Sequence, residues 1–176
     1  MDIKEIPTEF IIYNVKDHLK HKKKLLKLIK IIPNNPYDQV SKTDWNLPKD
    51  FERKYNEYFY NHIAQTHANA MLKHFKCTEL LMVNTWFQQY EKLSFHNYHV
   101  HPGVNLTNVY FLELPDSNFR TSIKVGEKEY EYKIEEGQII TFPAHLLHTS
   151  KQNGELRKTV IAFNSNINYG NINEYK

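Results

Sequence analysis

The amino-acid sequence predicts a mainly β fold with helices in its N-terminal part, and three observations support this prediction. Helical periodicity of apolar residues is found only before residue 76. From Leu80 onward, short runs of β-branched and aromatic residues alternate with turn residues. The 176 residues, 40% of them hydrophobic, are enough for one core, and no repeat or linker divides them. We therefore expect a single domain over 1–176, with a helical supporting region at 1–78, a β core at 79–166 and a tail at 167–176.

The first helix is predicted from Asp17 to about Ile31. Four apolar residues recur there at i, i+3, i+4 and i+7, namely Leu25, Leu28, Ile29 and Ile32. Six lysines cover the rest of its surface, namely Lys20, Lys22, Lys23, Lys24, Lys27 and Lys30. Pro33 ends the helix because its ring blocks the next helical turn. A lysine-rich face over an apolar stripe is usually a solvated surface, so we assign it no function.

A second helix is predicted from Asp50 to about Phe75. Its expected core face consists of Phe51, Tyr55, Tyr58, Phe59, His62, Ile63, Thr66 and Ala70. His62 belongs to this stripe, so we expect it to be a packed core histidine rather than a ligand.

Seven strands are predicted in the remainder of the chain. They are Leu80–Phe87, Tyr98–His101, Asn105–Leu112, Arg120–Val125, Tyr130–Ile134, Gln138–Phe142 and Lys158–Phe163. Turn residues between them indicate an antiparallel β-sandwich or barrel.

Charge and cysteine content exclude several classes of protein. The formal net charge of +3 is too small to indicate a nucleic-acid binder. The single cysteine, Cys77, excludes an internal disulfide and a multi-thiolate zinc site, and favours a reducing compartment. The first residues lack the apolar core of a signal peptide, and no run approaches the roughly 20 apolar residues of a membrane span. We therefore expect a soluble, cytoplasmic protein.

His99 and His101 form a His-x-His pair in the third quarter of the chain. Side chains two positions apart on a strand point to the same face, so both imidazoles can bind one ion. Pro102 and Gly103 follow at once and end the strand in a bend. A metal at this bend would keep open positions for a substrate.

A third ligand is expected from the segment 136–148, which contains a glycine turn, an apolar strand, a proline and a terminal histidine. We select His148. His145 lies three residues earlier, and we expect it at the rim of the pocket or in solvent. His96 precedes the predicted strand. If the ion were structural zinc, His96 or His145 would supply a fourth ligand.

Arg157 is the second candidate feature. It shares one face of the last predicted strand with Thr159, Ile161 and Phe163, so we predict that it faces inward. A buried guanidinium needs an anion, and its planar fork suits a carboxylate, with the Thr159 hydroxyl completing the site. That anion is either a protein carboxylate or, beside a metal, a small dicarboxylate that bridges the arginine and the ion.

Three segments resemble the 2-oxoglutarate/iron(II)-dependent oxygenases related to prolyl hydroxylases. They are His99–Leu112, Gly137–His148 and Arg157-x-Thr159 with Phe163-Asn164. The family forms are His-x-His-Pro-x-Ser, Ser-Gly-Val-Tyr-Tyr-Leu, Gly…Phe-Pro-Ser…His and Arg…Phe-Asn. The resemblance covers about half of the chain, from Val83 to Asn164, and Trp86 matches a family tryptophan. Such proteins often come from marine bacteria and their phages, which would place this one in the host cytoplasm if it is viral.

The resemblance implies a double-stranded β-helix, the jelly roll also seen in cupins, with the N-terminal helices packed on one sheet. It implies Fe(II) held by His99, His101 and His148, with 2-oxoglutarate and O2 at the remaining positions. Arg157, with Thr159 and Tyr110, would bind the distal carboxylate of 2-oxoglutarate. The implied activity is hydroxylation of a small-molecule or peptide substrate, with release of succinate and CO2.

Two positions depart from the family pattern. Thr107-Asn108 replaces Ser-Gly, and His101 stands where most of these oxygenases have Asp or Glu. A third neutral imidazole leaves the iron site one unit more positive, which strengthens anion binding.

Two alternative functions follow from these departures. Gly137–His148 also resembles the second cupin motif, and three-histidine iron sites occur in cupin dioxygenases that do not use 2-oxoglutarate. The other alternative is a non-catalytic jelly-roll module whose lysine-rich helix binds an anionic partner. An exposed β edge and an aromatic-rich N-terminal half are compatible with a homodimer.

Overall fold

The structure is a computed structural model that describes residues 9–170. Helical segments are α1 (His18–Lys30), α2 (Lys54–Phe59), a π-helical turn (Tyr60–Ala64), α3 (Gln65–Phe75) and a 3-10 turn (Ser117–Phe119). The strands are β1 (Ile11–Asn14), β2 (Lys42–Thr43), β3 (Glu79–Tyr90), β4 (His96–His99), β5 (Leu106–Glu113), β6 (Thr121–Val125), β7 (Lys128–Tyr130), β8 (Gln138–Pro143), β9 (Leu147–Ser150) and β10 (Lys158–Asn168). None of the helices within 9–170 is long and apolar enough to cross a membrane.

The strands form two antiparallel sheets. The major sheet has the order β1-β8-β5-β10-β3-β2, and the minor sheet has the order β4-β9-β6-β7. β10 lies between β5 and β3 and pairs with both along most of its length. It continues to Asn168, two residues into the segment predicted as a tail.

Both faces of the major sheet are buried, against different neighbours. Ile161 and Phe163 belong to a core shared with Leu25 and Ile29 of α1 and with residues of α2. Val160 belongs to a second core, shared with residues of the minor sheet such as Ile123. Because side chains alternate along a strand, neighbouring residues of β10 enter different cores.

The predicted helices are confirmed, with one change in the buried face of the second. α1 matches its predicted range, while α2 begins four residues later than expected. The π-helical turn adds one residue to a turn and so rotates the following face. As a result His62 is exposed and His67 is fully buried, so the prediction of a core His62 is wrong.

The strand predictions hold with shifted ends and three omissions. β4 ends at His99 rather than His101, and β7 ends at Tyr130, where the prediction began a strand that ran to Ile134. β1, β2 and β9 were not predicted. β9 is the important omission, because the segment after Pro143 was interpreted as a loop and instead carries His148 on a strand.

His67 anchors α3 to the major sheet through a buried hydrogen-bond chain. Its Nε2 donates to Thr141 Oγ1 (3.0 Å), and Thr141 Oγ1 donates to Asn108 Oδ1 (2.7 Å). The other ring nitrogen, Nδ1, is buried without a partner. Burial lowers the pKa of His67 to about 4, because a second ring proton would have no acceptor.

This histidine predicts an acid-sensitive fold. The neutral ring is favoured in the folded state, so its contribution to stability is full above pH 6.5 and is lost as the pH falls towards 4. A shift of this size corresponds to about 3 kcal/mol. In urea unfolding, the free energy of unfolding of His67→Gln should fall less between pH 7 and pH 4 than that of the parent protein, by about 3 kcal/mol. Parallel pH profiles of parent and variant would contradict this assignment.

Candidate metal centre

Three histidines meet at one end of the space between the two sheets. The antiparallel pairing of β4 with β9 places His99 directly opposite His148. His101 lies two residues beyond the end of β4, and its backbone N–H donates to the carbonyl oxygen of Ala144 (3.0 Å). One ring nitrogen from each histidine falls within 4.8 Å of the other two, a separation at which the three can hold one metal ion.

Two of these imidazoles are fixed in one tautomer by backbone carbonyls. His99 Nδ1 donates to Asn97 O (2.7 Å), and His148 Nδ1 donates to Leu146 O (2.9 Å). A carbonyl can only accept, so both Nδ1 atoms carry the proton and both Nε2 atoms are left with free lone pairs. Hydrogen bonds of this kind orient metal-binding histidines in known sites.

The three rings are neutral at physiological pH. Burial lowers the pKa of His148 to about 3 and that of His101 to about 4, with the neighbouring His99 adding to both shifts. Burial also lowers the pKa of His99. A neutral imidazole is the form that binds a metal, so no proton has to be displaced at neutral pH.

The histidines line a cavity between the sheets, about 390 Å³ when its opening to solvent is included. Its described walls are Trp86, Gln88, Tyr90, His96, His99, His101, Thr107, Val109, Thr121, His148, Thr149, Ser150, Lys158, Val160 and Ala162. None of these residues is acidic. The described walls of the cavity therefore combine three metal-binding nitrogens with the amine of a lysine and include no carboxylate.

Lys158 is that lysine, and the sequence analysis missed it. Only 2% of the residue is exposed, and its Nζ donates to Phe119 O (2.7 Å) and to the Ser150 hydroxyl. The ammonium also lies 4.3 Å from the centre of the Tyr90 ring. Burial lowers the pKa of Lys158 to about 7, because no anion within the described residues compensates its charge.

The structure does not bring Arg157, Thr159 and Tyr110 to the histidines. Arg157 precedes β10, and its Nε and Nη2 bind both carboxylate oxygens of Glu113 (3.0 and 2.9 Å), with the side chain 41% exposed. Thr159 Oγ1 also donates to Glu113 (2.5 Å). Tyr110 bonds to His18 Nδ1 (2.7 Å).

The prediction that Arg157 faces inward is therefore wrong. The next residue, Lys158, faces the cavity instead. On β10 the odd-numbered residues face the helices and the even-numbered residues face the minor sheet. Lys158, Val160 and Ala162 line the cavity, while Phe163 lies in the helix-side core. The two faces are equally buried, so the sequence pattern alone carried no sign of which one holds the metal.

The two secondary histidines differ in outcome, because His96, expected before its strand, is instead the first residue of β4 and lines the cavity. His145 is exposed, as predicted. The His96 ring lies 4.1 Å from that of His99, but its Nε2 is directed to the Asp38 carboxylate (3.8 Å). Among the residues that the structure describes, the metal-binding group contains His99, His101 and His148 alone.

Neither a family model nor a curated protein sequence matches the chain. Solved structures do match in fold. An oxidoreductase of the 2OG-Fe(II) oxygenase family from Burkholderia pseudomallei aligns with a TM-score of 0.68 at 12% identity, over 92% of this chain and 86% of the other.

Two further solved structures align at similar identity. A viral collagen prolyl hydroxylase from Paramecium bursaria Chlorella virus-1, in complex with 2OG, gives a TM-score of 0.61 at 13% identity, over 89% and 94% of the two chains. A Trichoplax adhaerens prolyl hydroxylase, in complex with a peptide fragment of hypoxia inducible factor, gives 0.61 at 12% identity, over 88% and 82%. These likenesses confirm the expected double-stranded β-helix fold.

The geometry predicts a metal site that depends on the three histidines. His148→Ala should weaken Co(II) binding by more than the roughly 10–100-fold that loss of an outer-sphere partner costs, because one of three ligands is lost. Optical titration of Co(II) into metal-free protein measures this affinity. His145→Ala, an exposed histidine three residues away, is the matched control and should bind as the parent does. Equal loss in both variants would contradict the site.

Proposed function

We propose that the protein is an Fe(II)- and 2-oxoglutarate-dependent oxygenase that hydroxylates a C–H bond of its substrate. The observation that carries this proposal is the cavity whose walls combine three neutral imidazoles with buried Lys158. The fold of 2OG-Fe(II) oxygenases, one of them solved in complex with 2OG, supports it.

The chain's own residues fit Fe(II). His99, His101 and His148 would hold the ion, and imidazole nitrogen is a ligand that Fe(II) accepts. Three protein ligands leave other coordination positions for a cosubstrate and O2. Bound Fe(II), with 2-oxoglutarate and O2, supplies the oxidation of a C–H bond while 2-oxoglutarate becomes succinate and CO2.

Charge and length favour a dicarboxylate in this cavity. Neutral imidazoles leave both charges of a divalent ion uncompensated, and Lys158 adds a positive charge when it is protonated, the form that a neighbouring carboxylate favours. Ser150, which bonds Lys158 Nζ, lies two residues along β9 from His148, a separation of about 6–7 Å on a strand. A five-carbon dicarboxylate spans such a gap with one carboxylate at the metal and the other at the lysine.

Each part of the chain has a defined task in this mechanism. Lys158 binds the distal carboxylate and fixes the orientation of the cosubstrate, replacing the expected Arg157. The carbonyls of Asn97 and Leu146 hold the ligand rings. Trp86 and Val160 in the cavity wall, with Phe142 packed against the ring of His148, limit the entry of water.

The primary substrate would be a small molecule or a peptide. The Trichoplax prolyl hydroxylase, which shares the fold, was solved with a peptide fragment. The substrate would approach past Trp86 and His101, whose rings lie 5.4 Å apart in the wall of the cavity.

A cupin-like dioxygenase that works without 2-oxoglutarate is the second candidate. The all-histidine ligand set favours it, because three neutral imidazoles replace the carboxylate of most 2-oxoglutarate oxygenases. It assigns no role to Lys158, whereas the oxygenase proposal does. Such an enzyme would bind Fe(II) and give no optical response to 2-oxoglutarate.

Anaerobic titration of the Fe(II)-loaded protein with 2-oxoglutarate tests the proposal. We expect the visible charge-transfer band of the Fe(II)–2-oxoglutarate chelate in the parent protein. Lys158→Met should weaken 2-oxoglutarate binding by about 10- to 100-fold, the value of a hydrogen bond to a charged group, while Fe(II) still binds.

Arg157→Met is the matched control, one position along the chain and on the other face. It should leave the band and the affinity unchanged. Loss of the band in Arg157→Met but not in Lys158→Met would contradict the role of Lys158. Absence of any band from Fe(II)-loaded parent protein would leave the cupin-like candidate.

A further inference from the structure

The outer edge of β3 is open beside the candidate metal centre. β2 pairs with β3 only at Gln88 and Gln89. At Phe87 two side chains replace a neighbouring strand, since Thr43 Oγ1 donates to its carbonyl oxygen and its N–H donates to Asp44. From Glu79 to Trp86, no strand or side chain within residues 9–170 pairs with this edge.

This open edge carries exposed apolar side chains. Leu81 and Val83 are 52% and 51% exposed. Val83 is also the extra residue of a β-bulge, because Asn164 pairs with Asn84 and Ser165 with Met82. Natural proteins rarely leave such an edge uncovered, because its free N–H and C=O groups attract another strand.

A groove lies along part of this edge and ends at Trp86, next to the metal centre. Its volume is about 1120 Å³, including its opening to solvent. Residues 83–86 of β3 form one wall, and residues of the segment 44–57 form the other. Trp86 lines both this groove and the histidine cavity. The side chain of Trp86 is therefore a wall that the groove and the cavity share.

Aromatic rings continue from the groove to the histidines. Trp45 is 44% exposed and lies 4.8 Å from Trp86, whose ring is 5.4 Å from that of His101. Tyr37, 6.4 Å from Trp45, also contacts His96 (6.0 Å).

The loop that carries Tyr37 is held in place at some cost. Asp38 and Gln39 both have left-handed backbones, with φ of 44° and 63°. The Asp38 carboxylate accepts from the backbone N–H and the side-chain amide of Asn97, two residues before His99. Strain of this kind is kept where the position of a loop matters.

We propose that the open β3 edge and its groove dock the primary substrate, and that this substrate is a polypeptide segment that binds in an extended conformation as an additional strand. The inference rests on the proposed function, because the groove matters as the approach to the metal centre. Main-chain hydrogen bonds to Leu80–Thr85 would hold the segment, and one of its side chains would reach past Trp45 and Trp86 to the histidines.

A polypeptide fits these features better than a small metabolite. A free strand edge offers a row of alternating donors and acceptors, which only another extended backbone can satisfy along its length. The groove has a wall on each side, so the space beside the edge fits a single chain. A second folded copy of this protein would bring both walls of its own groove to the same edge.

The test uses full-length protein loaded anaerobically with Fe(II) and 2-oxoglutarate. The probes are three pools of blocked nonapeptides, random except for a central proline, leucine or lysine. Binding is followed by the emission of Trp45 and Trp86, the chain's two tryptophans, and by hydrogen exchange of residues 80–86. We expect at least one pool to change the emission and to slow exchange at these amides.

The double variant Leu81→Lys/Val83→Lys should weaken that binding at least tenfold by charging the edge. Leu19→Lys/Leu156→Lys changes two other exposed leucines, 76% and 61% exposed, and should bind as the parent does. Binding by no pool, or equal binding by both double variants, overturns the proposal. Light scattering that shows a dimer, together with slow exchange of the β3 amides before any peptide is added, also overturns the proposal. In that case a second copy of the chain covers the edge.

The charge-transfer band is recorded in the same samples. It distinguishes failure of the docking proposal from failure of the oxygenase proposal. A normal band without peptide binding removes the docking proposal and leaves the oxygenase function. Peptide binding at β3 without a band supports a polypeptide-docking edge but removes its role as the approach to an oxygenase centre.

Discussion

The burial of both faces of the major sheet is the constraint on which the candidate site depends. Helices cover one face and the minor sheet covers the other, so consecutive residues of a strand enter different cores. Each buried apolar side chain stabilises the fold by about 1.5–3 kcal/mol, which fixes the register of β10. That register directs Lys158 to the histidines and leaves Arg157 outside, paired with Glu113.

The sequence predicted the parts of the fold that follow from local pattern. The periodicity of Leu25 and Ile29 located α1, and the His-x-His spacing located His99 and His101. Two features depended on information that a pattern does not carry. The π-helical turn moved burial from His62 to His67, and the pairing of β9 with β4 and β6 made a strand of an apparent loop. The choice between the faces of β10 likewise required the positions of the helices.

Charge links the metal centre to its proposed cosubstrate. A two-histidine, one-carboxylate site brings its own negative charge, whereas His101 brings none. In this chain the histidines and Lys158 share a cavity whose described walls contain no acid, so a dianion complements the site better than a neutral ligand. The same cavity meets an open strand edge at Trp86. The substrate would thus approach the metal past Trp86, while the cosubstrate would bind between the metal and Lys158.

The most direct measurement of the central claim is a crystal structure of the protein with Fe(II) and 2-oxoglutarate, grown without oxygen and recorded at the iron absorption edge. The account predicts an anomalous peak within bonding distance of His99, His101 and His148. It also predicts the distal carboxylate of 2-oxoglutarate within hydrogen-bond distance of Lys158 Nζ. Iron at another position, or a 2-oxoglutarate molecule that does not contact Lys158, would contradict the account.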